Sequence, residues 1–228
     1  MKLVLLPGMD GTGDLFLPLI QELGQFDKQI IPLPESGKQD YTTLSKYVSD
    51  KLPNKDFFLI AESFSGPIAA ILAKENNPYL KGIIFVATFL SPPNRYLLTL
   101  AKALPLKLFS RSLLARPCLR LLLFGKGAHS QALTLFQKTV KALPSKIIKS
   151  RIGAIQSLSF SGKQVTLPVA YISGSSDRLV EKEKALEFRK HFSNITIKAI
   201  DGPHFLLQTH PKQCAEVISE LIQTLIRA

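Results

Sequence analysis

Short, mostly apolar runs alternate along the chain with longer stretches whose apolar residues recur three and four positions apart. Lys2–Leu6, Gln29–Pro32, Phe57–Ala61, Gly82–Ala87, Pro168–Ser173 and Ile195–Ile200 are the short runs and read as strands. Leu15–Leu23, Tyr41–Leu52, Ser65–Asn76, Glu181–Arg189 and Pro211–Arg227 carry the helical spacing. Strands alternating with helices predict an α/β fold, a mostly parallel sheet of about six strands flanked by helices. Runs such as Phe57–Ala61, bounded by charge on both sides, fit parallel strands, which are covered on both faces.

The alternation stops between residues 91 and 163. No strand pattern occurs there, and Tyr96–Leu108, Ser112–Phe124, Ser130–Leu143 and Ser145–Leu158 all have helical spacing. Pro105, Pro117, Pro144, Gly125 and Gly127 punctuate them. The expected organisation is a core of residues 1–90 and 164–228 carrying a helical lid insertion, 91–163. An insert after a sheet strand would lie over the carboxyl edge of the sheet, where open α/β sheets place their ligand sites.

Composition bounds the class. The chain has 228 residues, 46% hydrophobic and 20% charged, enough for one sizeable core and too apolar for disorder. The formal net charge of +12 is not spread evenly. From Asn76 to Ser176 the chain carries 14 Lys or Arg and no Asp or Glu, whereas the remaining 127 residues hold 15 basic and 17 acidic side chains. A near-neutral body therefore carries a basic insert. The longest stretches free of charge, Gly82–Asn94 and Gln164–Ser176, are 13 residues each, short of the roughly 18 that a membrane-spanning helix needs. Met1–Gly8 is too short, and too soon broken by Pro7, for a secretory signal. Cys118 and Cys214 then read as reduced thiols in a cytoplasmic protein. The four histidines and two cysteines show no metal-ligand spacing, and no metal or organic cofactor is expected.

The sharpest chemical signal is Leu59-Ile60-Ala61-Glu62-Ser63-Phe64-Ser65-Gly66-Pro67, a buried strand running into a helix with a serine at the junction. Such a turn is strained and tolerates only small residues two positions either side of a nucleophile, which Ala61 and Ser65 supply around Ser63. The pattern departs from G-x-S-x-G by carrying Ala and Ser for the two glycines. The competing reading of such a serine is a helix cap.

A serine hydroxyl needs a base, and the base needs a carboxylate to orient it. Of His129, His191, His204 and His210, only His204 lies in a turn between the last strand and the last helix, at the carboxyl edge of the sheet. Asp177, after the Pro168–Ser173 strand, lies at the same edge; Asp201, three residues before His204, is its rival and reads as a turn former. The order Ser63, Asp177, His204 is the one expected of this architecture. The negative oxygen of a tetrahedral intermediate needs preplaced N–H donors. Phe64 is one candidate; Met9, in the glycine-rich loop Pro7-Gly8-Met9-Asp10-Gly11-Thr12-Gly13, is the other. A phosphate loop is the alternative for these glycines, but their spacing matches neither phosphate-binding pattern. A purely structural turn, with Asp10 and Asp14 capping the next helix, is the other alternative.

These segments together resemble the α/β-hydrolase fold over nearly the whole chain. Leu5-Leu6-Pro7-Gly8-Met9-Asp10-Gly11 is similar to the family's oxyanion loop, with Pro7 where many members have His. Ala61–Gly66 resembles its nucleophile elbow, Ser173–Asp177 its acid loop and Gly202–Phe205 its histidine loop. The chain begins at what would be the family's third strand, so the usual first hairpin is expected to be absent. The resemblance implies a serine carboxylesterase and leaves the substrate open.

The basic insert narrows the choice of partner. Its charge could simply solvate helices whose other faces are apolar. An acidic partner approaching the site is the alternative, and an acyl-carrier protein fits it: the insert resembles the basic lid of esterases that demethylate pimeloyl-carrier protein in biotin synthesis. Arg111, Arg116, Arg120, Lys138, Lys141 and Arg151 are then the docking candidates. An anionic membrane, met by a lipase-like or lysophospholipase-like enzyme, is the second choice. Nucleic acid is not expected, because the insert lacks clustered aromatics for base stacking. Acyl transfer on the same fold remains an alternative to hydrolysis.

Overall fold

A computed structural model describes residues 1–94, 123–125 and 130–227. The expected helix Tyr96–Leu108 and nearly all of Ser112–Phe124 lie outside the described residues, as does His129.

Six parallel strands form one sheet: β1 (Lys2–Leu6), β2 (Asp27–Ile30), β3 (Phe57–Glu62), β4 (Leu80–Val86), β5 (Val169–Gly174) and β6 (Ile195–Ile200), in the spatial order β2-β1-β3-β4-β5-β6. The pleat divides each inner strand between two cores. Val4, Leu6, Leu59, Ala61, Ile83, Phe85, Val169 and Tyr171 pack on one face; Leu3, Leu5, Phe58, Ile60, Ile84, Val86, Ala170 and Ile172 pack on the other. Helices α2 (Tyr41–Ser49) and α3 (Gly66–Leu72) cover the first face. Helix α1 (Leu17–Glu22) and the carboxy-terminal helix Pro211–Arg227 cover the second, through Leu19, Cys214, Ile218, Leu221 and Leu225. The outermost strands carry the charge: Asp27 and Lys28 on β2 and Lys198 on β6 blunt the two open edges.

Differences from the expected boundaries have local causes. Strand β2 is Asp27–Ile30 rather than Gln29–Pro32, because its pairing with Lys2–Leu5 selects the residues and includes polar ones. Helix α2 starts where Asp40 accepts hydrogen bonds from the Thr43 N–H and hydroxyl, and it ends at Ser49 instead of Leu52. The expected helix Ser65–Asn76 is a 3₁₀ turn at Ser63–Ser65, α3, and a second 3₁₀ turn ended by Asn76 at φ +52°. Two helices of the insert are described, α4 (Ser130–Ala142) and α5 (Ser145–Gln156). Next come α6 (Glu183–Glu187) and the short helix α7 (Leu206–Thr209), the latter unforeseen; Pro211–Arg227 is α8. Among the described residues, no helix is long and apolar enough to cross a membrane.

The strand order reverses between β1 and β3, so the loops leaving those two strands diverge and open a crevice at the carboxyl edge. Leu6 pairs with Ala61, which sets the loop after β1 directly beside the turn after β3.

Candidate active site

The turn after β3 places Ser63 in the left-handed region at φ +47°, a conformation that a non-glycine residue holds only when its surroundings impose it. Those surroundings are visible. Thr88 donates its hydroxyl to the Ser63 carbonyl, Tyr171 donates to the Thr88 carbonyl at 2.6 Å, and Ser65 donates to the Pro7 carbonyl. A Cβ at Gly66 would collide with the Thr88 side chain, so that position accepts only glycine.

Ser63 Oγ lies 3.0 Å from His204 Nε2, and His204 Nδ1 lies 2.8 Å from Asp177 Oδ2. The other carboxylate oxygen of Asp177 accepts the backbone N–H groups of Leu179 at 2.8 Å and Val180 at 2.9 Å. Burial pushes the Asp177 pKa up, but the His204 charge and these hydrogen bonds outweigh it and hold the carboxyl below its ordinary value. For His204, burial opposes the charged ring, yet Asp177 and, behind it, Glu62 raise its pKa above the usual histidine value. With Nδ1–H donated to Asp177, Nε2 is free to accept the serine proton. Asp201 is not part of this chain of bonds: it is exposed and accepts from Ser175 Oγ at 2.6 Å. His210 bonds Thr209, and His191 sits edge-on to Phe160.

The loop after β1 folds as a tight turn. Gly11 N–H donates to Gly8 O at 3.1 Å, and Asp10 accepts from the N–H and hydroxyl of Thr12. Asp10 thus shapes the loop. A Cβ at Gly8 would stand 3.8 Å from Ser63 Cβ, so the loop passes close to the serine. Met9 and Phe64 accordingly flank Ser63 from the two loops that the switch point brings together.

Two features of the site escaped sequence reasoning. Glu62 is buried beside Ser63, and its partner Gln208 donates to it from Nε2 at 2.9 Å; burial lifts the Glu62 pKa to about 7, against the lowering effects of Gln208 and His204. Arg151, expected on a docking surface, is instead fully buried. It donates from Nε to Gln39 at 2.9 Å, from Nη1 to Met9 O at 2.7 Å and from Nη2 to Pro34 O at 3.0 Å. Its neighbours on α5, Ile147, Ile148, Ile152 and Ile155, are buried too, and Arg151 shares their face rather than the solvent face. Lys138 and Lys141 are exposed on α4, while Arg111, Arg116 and Arg120 lie outside the described residues.

Apolar side chains gather on both sides of the catalytic-type array. Met9 packs with Val140, Leu143, Ile148 and Ile152. Phe205, whose ring centroid is 5.6 Å from that of His204, packs with Phe124 and Phe136.

A parallel sheet with a serine elbow, an acid loop and a histidine loop on its carboxyl edge defines an α/β hydrolase. The chain matches the Hydrolase_4 family, "Serine aminopeptidase, S33", over residues 34–206, and it belongs to that family. It is similar to phytyl ester synthase 1, chloroplastic, of Arabidopsis thaliana, with 35% identity over 82 residues, which is 32% of this chain and only 12% of that protein's length. The fold is shared with a lipase-esterase related protein from Clostridium acetobutylicum ATCC 824 (TM-score 0.78, 20% identity, 96% of this chain and 93% of that one). It is also shared with an esterase from Exiguobacterium antarcticum (TM-score 0.81, 14% identity, 98% and 92% covered).

Proposed function

We propose that the chain hydrolyses carboxylic esters with an apolar acyl group through an acyl-enzyme on Ser63. The observation that carries this is the continuous hydrogen-bond path from Ser63 Oγ through His204 to Asp177. Ser63 Oγ attacks the acyl carbonyl while its proton passes to His204 Nε2. The carbonyl oxygen, now negative, takes the N–H groups of Met9 and Phe64. The carbon–oxygen bond to the alcohol breaks, and the alcohol leaves with the proton from His204. Water then gives a proton to His204 and adds to the acyl-enzyme; the acid departs and Ser63 regains its proton. Asp177 keeps Nδ1–H oriented and supports the imidazolium in both halves.

Ser63→Ala is expected to abolish turnover of p-nitrophenyl acyl esters and labelling by a fluorophosphonate with an unchanged thermal midpoint. Retained turnover overturns the assignment.

The narrower form of the proposal is an acyl methyl ester linked to an acidic carrier protein, pimeloyl-type as in biotin synthesis. Exposed Lys138 and Lys141 support it; Arg151 does not contribute, being buried. Carrier linkage should raise kcat/KM over the free methyl ester, and added salt should erode that advantage, because exposed charge pairs are screened beyond roughly 8–10 Å at physiological ionic strength. Equal rates for the two forms overturn the carrier reading and leave the esterase intact.

A further inference from the structure

We infer that Arg151 is a positioning residue for the oxyanion site, tying helix α5 of the insert to the loop that carries Met9. The inference rests on the esterase reading above and deepens it.

Two consecutive peptide groups determine where the Met9 N–H points. The first joins Gly8 to Met9; its carbonyl is taken by Gly11 N–H, which turns the Met9 N–H to the opposite side of the turn. The second joins Met9 to Asp10, and its carbonyl is held at 2.7 Å by Arg151 Nη1. The guanidinium is itself fixed from two other directions, by Gln39 through Nε and by Pro34 O through Nη2. Three donors in one rigid plane therefore fix the loop against α5. The loop is shaped around this plane: Gly11 has φ +73°, and a Cβ there would collide with the Arg151 guanidinium. The same guanidinium carbon lies 5.8 Å from the centroid of the Phe64 ring, so one side chain touches both residues that flank Ser63 as N–H donors.

Packing alone does not explain an arginine here. Arg151 makes no direct ion pair among the described residues; Asp10 and Glu35 favour its charge without contacting it, but burial outweighs them and lowers its pKa, a cost that an apolar side chain filling the space would not incur. The directed bond to Met9 O is what an apolar replacement cannot supply. The oxyanion site is thereby coupled to the insert: a shift of α5 would move the Met9 peptide.

Arg151→Met, Arg151→Lys and Gln39→Ala in the full chain, with Ser63→Ala beside them, test this. The readouts are kcat and KM for a p-nitrophenyl acyl ester and Ki for the matching trifluoromethyl ketone, which forms an oxyanion on the serine. Loss of a complete oxyanion donor costs about 100- to 1,000-fold in kcat, so misplacing one in Arg151→Met should cost about 30- to 100-fold. KM should change by less than about 3-fold, and Ki should rise in step with the fall in kcat/KM. Arg151→Lys should fall between the parent and Arg151→Met, and Gln39→Ala should lose about 3-fold in kcat. Unchanged kcat and Ki in a folded variant, or a loss confined to KM, overturns the inference. If Arg151→Met shows no cooperative thermal transition, Arg151→Lys and Gln39→Ala carry the same comparison, and the same outcomes support or overturn it. Turnover surviving in Ser63→Ala overturns the esterase reading itself; an inactive Ser63→Ala with indifferent Arg151 and Gln39 variants overturns only the positioning role.

Discussion

Two buried carboxylates flank His204, and their acidities move in opposite directions. Asp177 follows β5 and Glu62 ends β3. Burial penalises the charge of each. Asp177 answers that with two backbone N–H donors on one oxygen and the imidazole on the other, and its pKa falls. Glu62 has one amide donor, from Gln208, and lies within the field of Asp10; its pKa rises to about 7. Burial alone therefore does not decide ionisation. The number and charge of donors facing the carboxylate do. Asp177 stands ready as the fixed anion of the array, whereas Glu62 titrates in the range in which the enzyme would work.

The largest expected effect tests that division of labour. Asp177→Asn keeps the shape but offers the imidazole a donor or a neutral acceptor, so His204 loses both its orientation and its counter-charge. kcat should drop about 1,000- to 10,000-fold, as such changes do in serine triads. Glu62→Gln, one residue from Ser63, should cost less than about 10-fold in kcat. Steady-state kinetics on a p-nitrophenyl ester decides, and equal losses would erase the distinction between the two acids.

Asp177 was legible in the sequence because a strand, a small-residue turn and an acid follow one another along the chain. The sheet, its approximate strand count and the elbow were legible for the same reason: each is a local pattern. Glu62 stood in the elbow motif without a role, because its environment comes from Gln208, 146 positions away, on a four-residue helix too short to show a period. The basic charge of the insert as a whole points Arg151 to the surface, where it does not lie. Its own helix held the correction: Ile147 and Ile155 lie four residues before and after it, so all three share the buried face. The boundaries of β2 and α3 were illegible because pairing and backbone geometry, not apolarity, end those elements.

A smaller effect concerns stability. A carboxyl whose folded pKa is raised from 4.5 to about 7 stabilises the fold fully below pH 4.5, and that contribution is lost as pH rises toward 7. A shift of that size corresponds to roughly 3 kcal/mol at pH 8. Gln208 Oε1 is buried without a partner; turning the amide would present it to the proton of a neutral Glu62. Glu62→Gln keeps a neutral group at all pH values. Urea unfolding should therefore show the variant gaining on the parent between pH 5 and pH 8. A gap that stays constant with pH would mean that Glu62 is ionised throughout, as Asp177 is.

The smallest effect links the two acids through the ring between them. In the proposed mechanism kcat/KM requires neutral His204, so its acid limb should follow the histidine, whose pKa is raised above its ordinary value. Asp177 contributes most to that rise, and Glu62 adds to it as a second negative charge. Replacing Glu62 by Gln removes that charge, the imidazolium gives up its proton more readily, and the acid limb should move to lower pH by less than about one unit. The shape should change too. In the parent, Glu62 and His204 each alter the affinity of the other for a proton, so the limb belongs to the pair. With Gln at 62 the limb should steepen toward a single ionisation. A pH profile of kcat/KM from about pH 5 to 9 measures both features. An acid limb that stays in place or moves upward would show that Glu62 carries no charge while His204 titrates, leaving Asp177 as the sole anion facing the ring.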